Sequence, residues 1–396
     1  MSQTKAQLVD AVDGSIVAAD LASNSVTTAK VVDSAITADK LIFPVSNRNI
    51  IINGAMQVAQ RGSASTATNG IQTADRFGKF TNSTDETPVQ EQVDVASGTT
   101  PYTLGFRKAY KITNGNQTSG GSTTTQVGIE YKIEAQDLAN SGWNYTSSSS
   151  FITFSFWCKS SVAQNFFCRI LTADGSSQRY VIETGSLSAD TWTKITKTIP
   201  GNSNLQFDNN NSEGLKISLY QFAGTSYTDS SSLNTWTGAL TGNRTPDQTS
   251  TWYTTNDATF ELTGVQLEVG STATDFEHRS FGQELQLCQR YCFVTNQGGC
   301  GHGVGGGSNA VHRCQMNLPV VMRAAPSVTM NGSSMHTYDG SATAQFNAFS
   351  VVHTLPHAID WETSDSERTG GSVTAYRPVI AYIKSDSGGV ICSAEL

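Results

Sequence analysis

The first 47 residues carry a hydrophobic repeat with a five-residue period. The repeat positions are Ile16, Leu21, Val26, Val31, Ile36 and Leu41. This period matches neither the roughly 3.6 residues of a helical turn nor the two-residue alternation of a strand. One apolar residue in five cannot build a core within a single thin chain, so the stripe needs other copies to cover it. We therefore predict an intertwined homo-oligomeric stalk over residues 1–47, with a disordered linker as the alternative.

From residue 48 onward, short alternating segments predict β-strands. The segment "FITFSFWCKS" (151–160) places Ile152, Phe154 and Phe156 on one face. Asp174 and Gly175 separate two apolar runs and form a strong hairpin signal. Further strand-like segments follow at short spacing with polar turns between them, which is typical of sandwiches. We predict a jelly-roll-like β-sandwich over residues 48–280.

One helix interrupts the strands. Leu285, Cys288 and then Tyr291 or Cys292 follow at helical spacing, and this predicts a connecting helix over residues 281–293. A glycine-rich segment and several more short strands come next. They predict a second, smaller β-sandwich over residues 294–396. The predicted fold class is therefore all-β.

Composition narrows the classes of function. Charged residues make up only 15% of the 396 residues, against about 25% in ordinary soluble domains. The net charge of −8 and the lack of a basic run argue against a nucleic-acid partner. No stretch approaches the roughly 20 apolar residues of a membrane span, so no membrane insertion is expected. Without a secretion signal at the N-terminus, we expect the seven cysteines to be free thiols.

Several stretches resemble a β-sandwich that is common in bacteriophage tail-fibre and related virion proteins. They include "NIIINGAMQVAQRG" (49–62), "TADRF" (73–77), "FELTGVQLEVGSTATDFEHRSFGQELQLCQRYC" (260–292), "MRAAPSV" (322–328) and the terminal "AEL". The N-terminal decads resemble the Ser/Thr-Ala-Lys-Leu repeats that often precede such domains. Cys292 departs from the family, which often has Tyr at that position.

The resemblance implies a homotrimeric virion component with a layout similar to that of carbohydrate-binding modules. Its N-terminal segment would attach to phage tail or adaptor proteins, and its C-terminal domain would be distal and face the host. The implied partner is a host surface polysaccharide.

Sugar binding commonly uses exposed aromatic side chains as stacking platforms. Seven aromatic residues in polar or turn-rich segments are candidates: Trp143, Tyr145, Trp236, Trp252, Tyr253, Tyr338 and Trp361. The alternative for each of them is a place in the core or in a seam between subunits.

Metal and catalytic motifs are weak. A group of thiols and imidazoles could supply soft ligands for zinc, but its spacing fits no standard zinc finger, so we predict neither metal nor cofactor. The group comprises Cys288, Cys292, Cys300, His302, His312 and Cys314. Asp360 and Glu362 could act in glycoside hydrolysis at a carboxylate separation of about 5–9.5 Å. Acidic residues in a Ser/Thr-rich segment are more often solvated surface, and we predict that the chain is not an enzyme.

The predicted function is that of a phage tail fibre which binds a host cell-surface glycan during adsorption. Several weak sites on one particle give strong attachment without a deep pocket. Three alternatives remain open: a head fibre or decoration protein of the capsid, a glycan depolymerase, and a carbohydrate-binding module of cellular origin.

Overall fold

The structure is a computed structural model. It describes residues 48–228, 232–240, 242, 244–295, 298–306, 312–331, 334–383 and 389–396. The six predicted stalk positions, Ile16, Leu21, Val26, Val31, Ile36 and Leu41, lie outside these residues. The part of the chain that is described contains 22 strands and four short helices. The predicted all-β fold class is confirmed.

Two antiparallel sheets form the sandwich. Its strands are β1 (Gly78–Asn82), β2 (Val89–Asp94), β3 (Lys108–Thr113), β4 (Gln126–Glu134), β5 (Phe151–Ser160), β6 (Asn165–Thr172), β7 (Gln178–Ser186), β8 (Thr193–Pro200), β9 (Glu213–Ala223), β10 (Trp236–Gly238) and β11 (Thr259–Val269). One sheet has the order β1-β4-β9-β6-β7-β10, and the other has the order β2-β3-β11-β5-β8. Three helical turns accompany them: α1 (Thr100–Thr103), α2 (Ala135–Ala139) and α3 (Thr251–Thr254).

The sandwich core is formed by alternate residues of both sheets. On β5, Ile152, Phe154 and Phe156 are buried, as their alternation predicts, and the two phenyl rings lie 5.1 Å apart. Ile129 of β4 and Ile217 of β9 belong to the same core cluster. Because side chains alternate along a strand, the residues between these point away from the core. The six-stranded sheet therefore presents a second, outward face.

The connecting helix α4 (Phe281–Gln289) is shorter than predicted. Ser280 caps its N-terminus, and Gln283 completes a capping box. The helix ends at Gln289, and Cys292 begins strand β12, where it pairs with Ser393. The expectation that Cys292 shares a helical face with Cys288 is therefore wrong. The i, i+4 spacing cannot reveal this, because the backbone of Cys292 pairs with that of Ser393, which lies 101 positions later in the sequence.

The remaining strands form two more antiparallel sheets. They are β12 (Cys292–Thr295), β13 (Gly298–Gly305), β14 (His312–Asn317), β15 (Ser327–Asn331), β16 (Met335–Tyr338), β17 (Thr343–Phe346), β18 (Ser350–Leu355), β19 (Ala358–Glu362), β20 (Arg368–Gly371), β21 (Pro378–Ile383) and β22 (Gly389–Ser393). The orders are β12-β22-β15 and β18-β19-β14-β13-β21-β16-β17-β20. Both sheets contribute to one core that includes Met335, Trp361 and Cys392.

The stretches that carry the family resemblance hold the sandwich together. Glu277 accepts a hydrogen bond from the backbone N–H of Asn49 at 2.8 Å. Arg279 donates to the backbone oxygens of Asn49 and Ile51 and pairs with Glu277 and Glu284. These contacts fix residues 49–53 against the end of β11 and the start of α4. The "FEHR" motif is therefore structural in this chain.

The C-terminal residues dock onto the sandwich through buried charge. The guanidinium of Arg76 is 2% exposed and lies 2.5 Å from the carboxylate of Glu395. It also packs over the ring of Tyr291, with 3.4 Å from its central carbon to the ring centroid. Arg61 pairs with the same carboxylate at 3.4 Å, and Lys132 donates to the carbonyl of Leu396. The C-terminal "AEL" therefore contacts the sandwich directly, through Glu395 and Leu396.

Asp75 is a buried carboxyl whose titration makes stability depend on pH. Burial raises its pKa to about 6, although hydrogen bonds from Gln60 and the charge of Arg61 act in the opposite direction. The unfolded-state pKa is about 3.9. Between these two values the native state keeps a proton that the unfolded state releases. Stability therefore falls as pH rises from about 4 to about 6.

We expect the free energy of unfolding to be about 1 kcal/mol higher at pH 5 than at pH 7.5 through Asp75 alone. Urea denaturation at the two pH values measures this difference. The Asp75→Asn variant, which cannot titrate, should lose that share of the pH dependence. An identical pH dependence in the variant and the parent chain would contradict the assignment.

Candidate ligand-binding groove

The outward face of the six-stranded sheet forms a groove of about 570 Å³. Strands β1, β4, β6 and β9 supply its floor, and residues 239, 240 and 244 contribute to its rim. The floor residues alternate with core residues on the same strands. On β9, Lys216, Ser218 and Tyr220 line the groove, whereas Ile217 and Leu219 belong to the sandwich core.

Strand register places a carboxylate and a guanidinium on opposite sides of a small residue. Glu130 of β4 pairs with Ser218 of β9, and Ser218 pairs with Arg169 of β6. Neighbouring strands lie about 4.8 Å apart, so the Cα atoms of Glu130 and Arg169 are separated by about 10 Å. Ser218 is small, lies in the floor of the groove and is 2% exposed. We call the space above it the hollow, which has an acceptor on one side and donors on the other.

Phe80 forms an aromatic wall beside this hollow. Its ring packs edge-on against Tyr220 at 5.3 Å between centroids. The ring lies over Gly128, where an added Cβ would come within 2.2 Å of the Phe80 ring. A glycine is therefore required at this position to seat the ring. Phe80 remains half-buried, so part of its face is open to the groove.

Arg169 is the half-buried cation that strand β6 contributes to the groove. Its Nε is buried without a hydrogen-bond partner among the described residues, and no carboxylate there forms an ion pair with it. Its guanidinium packs over Tyr220 at 5.9 Å. Burial lowers the pKa of Arg169, and the positive charge of Arg244 acts in the same direction, whereas the negative charge of Glu130 acts to raise it.

The other two cations that line the groove have protein partners. Arg244 donates to the side-chain oxygen of Gln126 and packs over Tyr227 at 4.1 Å. Lys216 lies 3.5 Å from the carboxylate of Glu213. The groove is therefore lined by three cationic side chains and one carboxylate, Glu130. This local excess of positive charge contrasts with the net charge of −8 of the whole chain.

Five of the seven aromatic candidates are buried: Trp143, Trp236, Trp252, Tyr253 and Trp361. The expectation that they offer exposed stacking faces is wrong, because their rings pack inside the two cores. The indole N–H groups of Trp236 and Trp252 donate to backbone carbonyls, and the ring of Tyr253 stacks on Phe222 at 4.3 Å. Turn-rich flanking sequence does not distinguish a surface aromatic from one that plugs the sandwich.

The two remaining candidates lie elsewhere. Tyr145 is half-buried and packs edge-on against Phe207 at 5.0 Å. Tyr338 is 41% exposed on β16 of the eight-stranded sheet. None of the seven predicted aromatics lines the groove.

A smaller cavity of about 220 Å³ lies on the five-stranded sheet. Trp157 forms part of its wall and is half-buried. Phe106, Phe276 and His278 pack against one another beside it, with ring centroids 4.9–5.1 Å apart. Lys194 lines its edge. This rival cavity is the alternative candidate for the ligand site, because it also combines an accessible aromatic side chain with polar groups.

Sequence reasoning missed the groove residues. Arg169 interrupts the apolar strand "NFFCRILT" between Cys168 and Ile170, both of which face the core. A charged residue in such a strand, opposite Ser218 of another strand, is a signal for a polar sheet face. That signal could be used only once the pairing of β6 with β9 is known.

The thiol and imidazole cluster does not assemble a ligand set in the described part of the chain, where no group of three or more His, Cys, Asp or Glu side chains could hold a metal ion. All seven cysteines are buried as free thiols. Burial raises the pKa of Cys300 to about 11 and that of Cys314 to about 12. These thiols are therefore protonated at neutral pH.

Asp360 and Glu362 lie two residues apart on β19. Glu362 pairs with the exposed Arg313 at 3.0 Å, and Asp360 lies 3.9 Å from His353. Both acids are thus involved in cross-strand pairs on an open sheet face. Among the described helices, none is long and apolar enough to cross a membrane.

No protein-family model matches this chain, and no curated protein matches it. Among solved structures, it is similar to the enzymatically active domain of tailspike protein 4 from bacteriophage CBA120, with 9% identity and a TM-score of 0.30. That match covers 56% of this chain and 21% of the tailspike chain, so this chain spans about a fifth of that structure.

Two sugar-related structures are also similar. The N-terminal cellulose-binding domain of β-1,4-glucanase C from Cellulomonas fimi has 10% identity and a TM-score of 0.26, over 55% of this chain and 99% of that one. A sugar-binding protein described as putative, from Bacteroides thetaiotaomicron, has 10% identity and a TM-score of 0.29, over 56% and 100%. Likenesses at this identity and TM-score carry no argument about function.

Proposed function

We propose that this chain is a structural component of a bacteriophage particle, a tail fibre that binds a host cell-surface polysaccharide through the groove on the six-stranded sheet. The observation that carries the proposal is the hollow over Ser218. The acceptor Glu130 lies on one side of the hollow, and the donor Arg169 lies on the other. The aromatic ring of Phe80 lies beside them in the groove lining.

These groups match the two surfaces of a sugar. A sugar ring presents hydroxyl groups around its edge and C–H groups on its faces. Glu130 can accept from hydroxyls, and the guanidinium of Arg169 can donate to ring or hydroxyl oxygens. Phe80 offers an apolar surface for the C–H groups. A volume of about 570 Å³ lies within the range of about 300–1,000 Å³ typical of small-ligand sites.

We propose binding without cleavage. Glycoside hydrolysis commonly needs two carboxyl groups on either side of the scissile bond. Glu130 is the single carboxylate among the described residues that line the groove. Incubation of the chain with a polysaccharide that it binds should release no reducing ends above the level given by heat-denatured protein.

The tail-fibre assignment also needs an assembly. We propose that residues 1–47 form the trimeric stalk and attach to phage tail or adaptor proteins, because the five-residue repeat needs partners to cover its apolar stripe. Light scattering should give a three-chain mass for the full chain and a lower mass for a chain that begins at Asn47. A full-length monomer would contradict this assembly.

The groove is tested by screening the full chain on an array of bacterial surface polysaccharides. The Phe80→Ala variant should weaken binding to any recognised polysaccharide by about tenfold or more, since it removes the aromatic wall. The matched control is Trp157→Ala, which removes the accessible indole of the rival cavity. Loss of binding in Trp157→Ala with unchanged binding in Phe80→Ala would place the site in that cavity and overturn the groove.

A further inference from the structure

We infer that the groove selects a glycan whose sugar residues carry an anionic group, and that Arg169 holds this group. The inference rests on the proposed function of the groove and specifies its ligand class. The observation behind it is a half-buried guanidinium with a buried Nε, which lines the groove and forms no ion pair within the described residues.

A buried cation without a counter-ion is costly to a fold. Two buried charges elsewhere in the described residues have an oppositely charged partner: Arg76 pairs with Glu395, and Glu134 pairs with Arg290 through two 2.8 Å hydrogen bonds. Arg169 instead packs over the ring of Tyr220, and its Nε is buried without a hydrogen-bond partner in the described structure. An anionic ligand group would supply a direct ion-pair partner.

The charged groups around Arg169 favour an anion on its side of the hollow. Arg244 and Lys216 line the same groove from the rim and from β9, and both add positive potential. Glu213 partly neutralises Lys216 at 3.5 Å. The carboxylate of Glu130 lies on β4, two strands away from Arg169, and would repel an anion placed beside it.

Glu130 therefore orients the bound sugar residue, because the anionic group of the sugar is repelled from Glu130 and attracted to Arg169. A sugar residue that sits over Ser218 can direct its anionic group toward Arg169 and a hydroxyl group toward Glu130. A guanidinium binds a carboxylate or a phosphate through two parallel N–H···O hydrogen bonds. The shared chemistry is an anionic oxygen pair on the glycan, from either a uronic or sialic acid carboxylate or a phosphodiester.

The test uses the full chain and named polymers. Polygalacturonate and polysialic acid are each compared with their carboxyl-reduced forms, and ribitol teichoic acid provides the phosphodiester arm. Binding is measured by biolayer interferometry at fixed salt. The carboxylated or the phosphodiester polymer should bind at least about tenfold more tightly than a neutral form.

Three variants assign the preference to a residue. Arg169→Met keeps an unbranched apolar stem and removes the charge, so it should abolish the preference for the anionic polymer. Arg169→Lys keeps the positive charge but lacks the planar guanidinium, so it should retain part of the preference for the anionic polymer. Lys194→Met removes a cation from the rival cavity and should leave the preference unchanged. Melting temperatures of all three variants verify that they are folded.

The outcomes separate this inference from the proposed function. Equal binding of anionic and neutral polymers, or an intact preference in folded Arg169→Met, overturns the anionic ligand; if Phe80→Ala still weakens binding, the groove remains the glycan site. Failure of every anionic probe to bind also overturns the inference. Binding that is unaffected by Phe80→Ala overturns the groove itself and this inference with it.

Discussion

Replacing Glu395 with alanine is expected to lower the free energy of unfolding by about 3–5 kcal/mol. The carboxylate of Glu395 is the counter-ion of Arg76, which is 2% exposed and lies between the sandwich and the C-terminal strand β22. Without it, the guanidinium keeps a hydrogen bond to the carbonyl of Lys132 and its contact with Tyr291. Neither contact neutralises the charge, so a buried cation would remain uncompensated.

The matched control is Glu362→Ala. Glu362 pairs with Arg313 at 3.0 Å, but the side chain of Arg313 is 74% exposed, so water can replace the lost partner. Pairs of this kind contribute about 0–1 kcal/mol. Urea denaturation of both variants measures the difference. Equal and small losses would show that the C-terminal "AEL" does not stabilise the fold through Arg76.

Replacing Ser218 with phenylalanine is expected to reduce glycan binding by about a hundredfold or more. Ser218 forms the floor of the hollow between Glu130 and Arg169, and its side chain points away from the core. A phenyl ring there would occupy the space that a sugar residue needs and would separate it from both charged groups. A loss of about 2.7 kcal/mol corresponds to that hundredfold change, a size typical of the strongest contacts in binding sites.

Ser188→Phe is the control for this substitution. Ser188 is exposed and follows β7, outside the residues that line the groove. Titration calorimetry with a glycan that the parent chain binds, together with thermal melts, compares the two variants. Full binding by a folded Ser218→Phe protein would exclude the hollow as the binding site.

The core of the sandwich could be predicted from sequence because a period of two is a local property. Ile152, Phe154 and Phe156 alternate on β5 and are all buried. The end of α4 could not be predicted in this way. Cys292 continues the helical spacing of Cys288, but its backbone pairs with Ser393, and such a distant pairing leaves no local signal.

The site was harder to predict because it depends on register. The aromatic candidates were chosen for their polar neighbours in sequence, and Trp252 shows why that criterion fails. Its flanking residues are polar, yet its indole is fully buried and donates to the carbonyl of Thr259. Glu130, Ser218 and Arg169 are far apart in sequence and meet only through the β4-β9-β6 pairing.

The glycan site on the six-stranded sheet is tested most directly by a crystal structure of the full chain with an oligosaccharide fragment of a recognised polysaccharide. We expect electron density for a sugar residue over Ser218, with one edge against Phe80. Its oxygens should lie within hydrogen-bond distance of Glu130 and Arg169. A sugar bound beside Trp157 or on the C-terminal sheets, with the groove on the six-stranded sheet empty, would contradict the proposed glycan site.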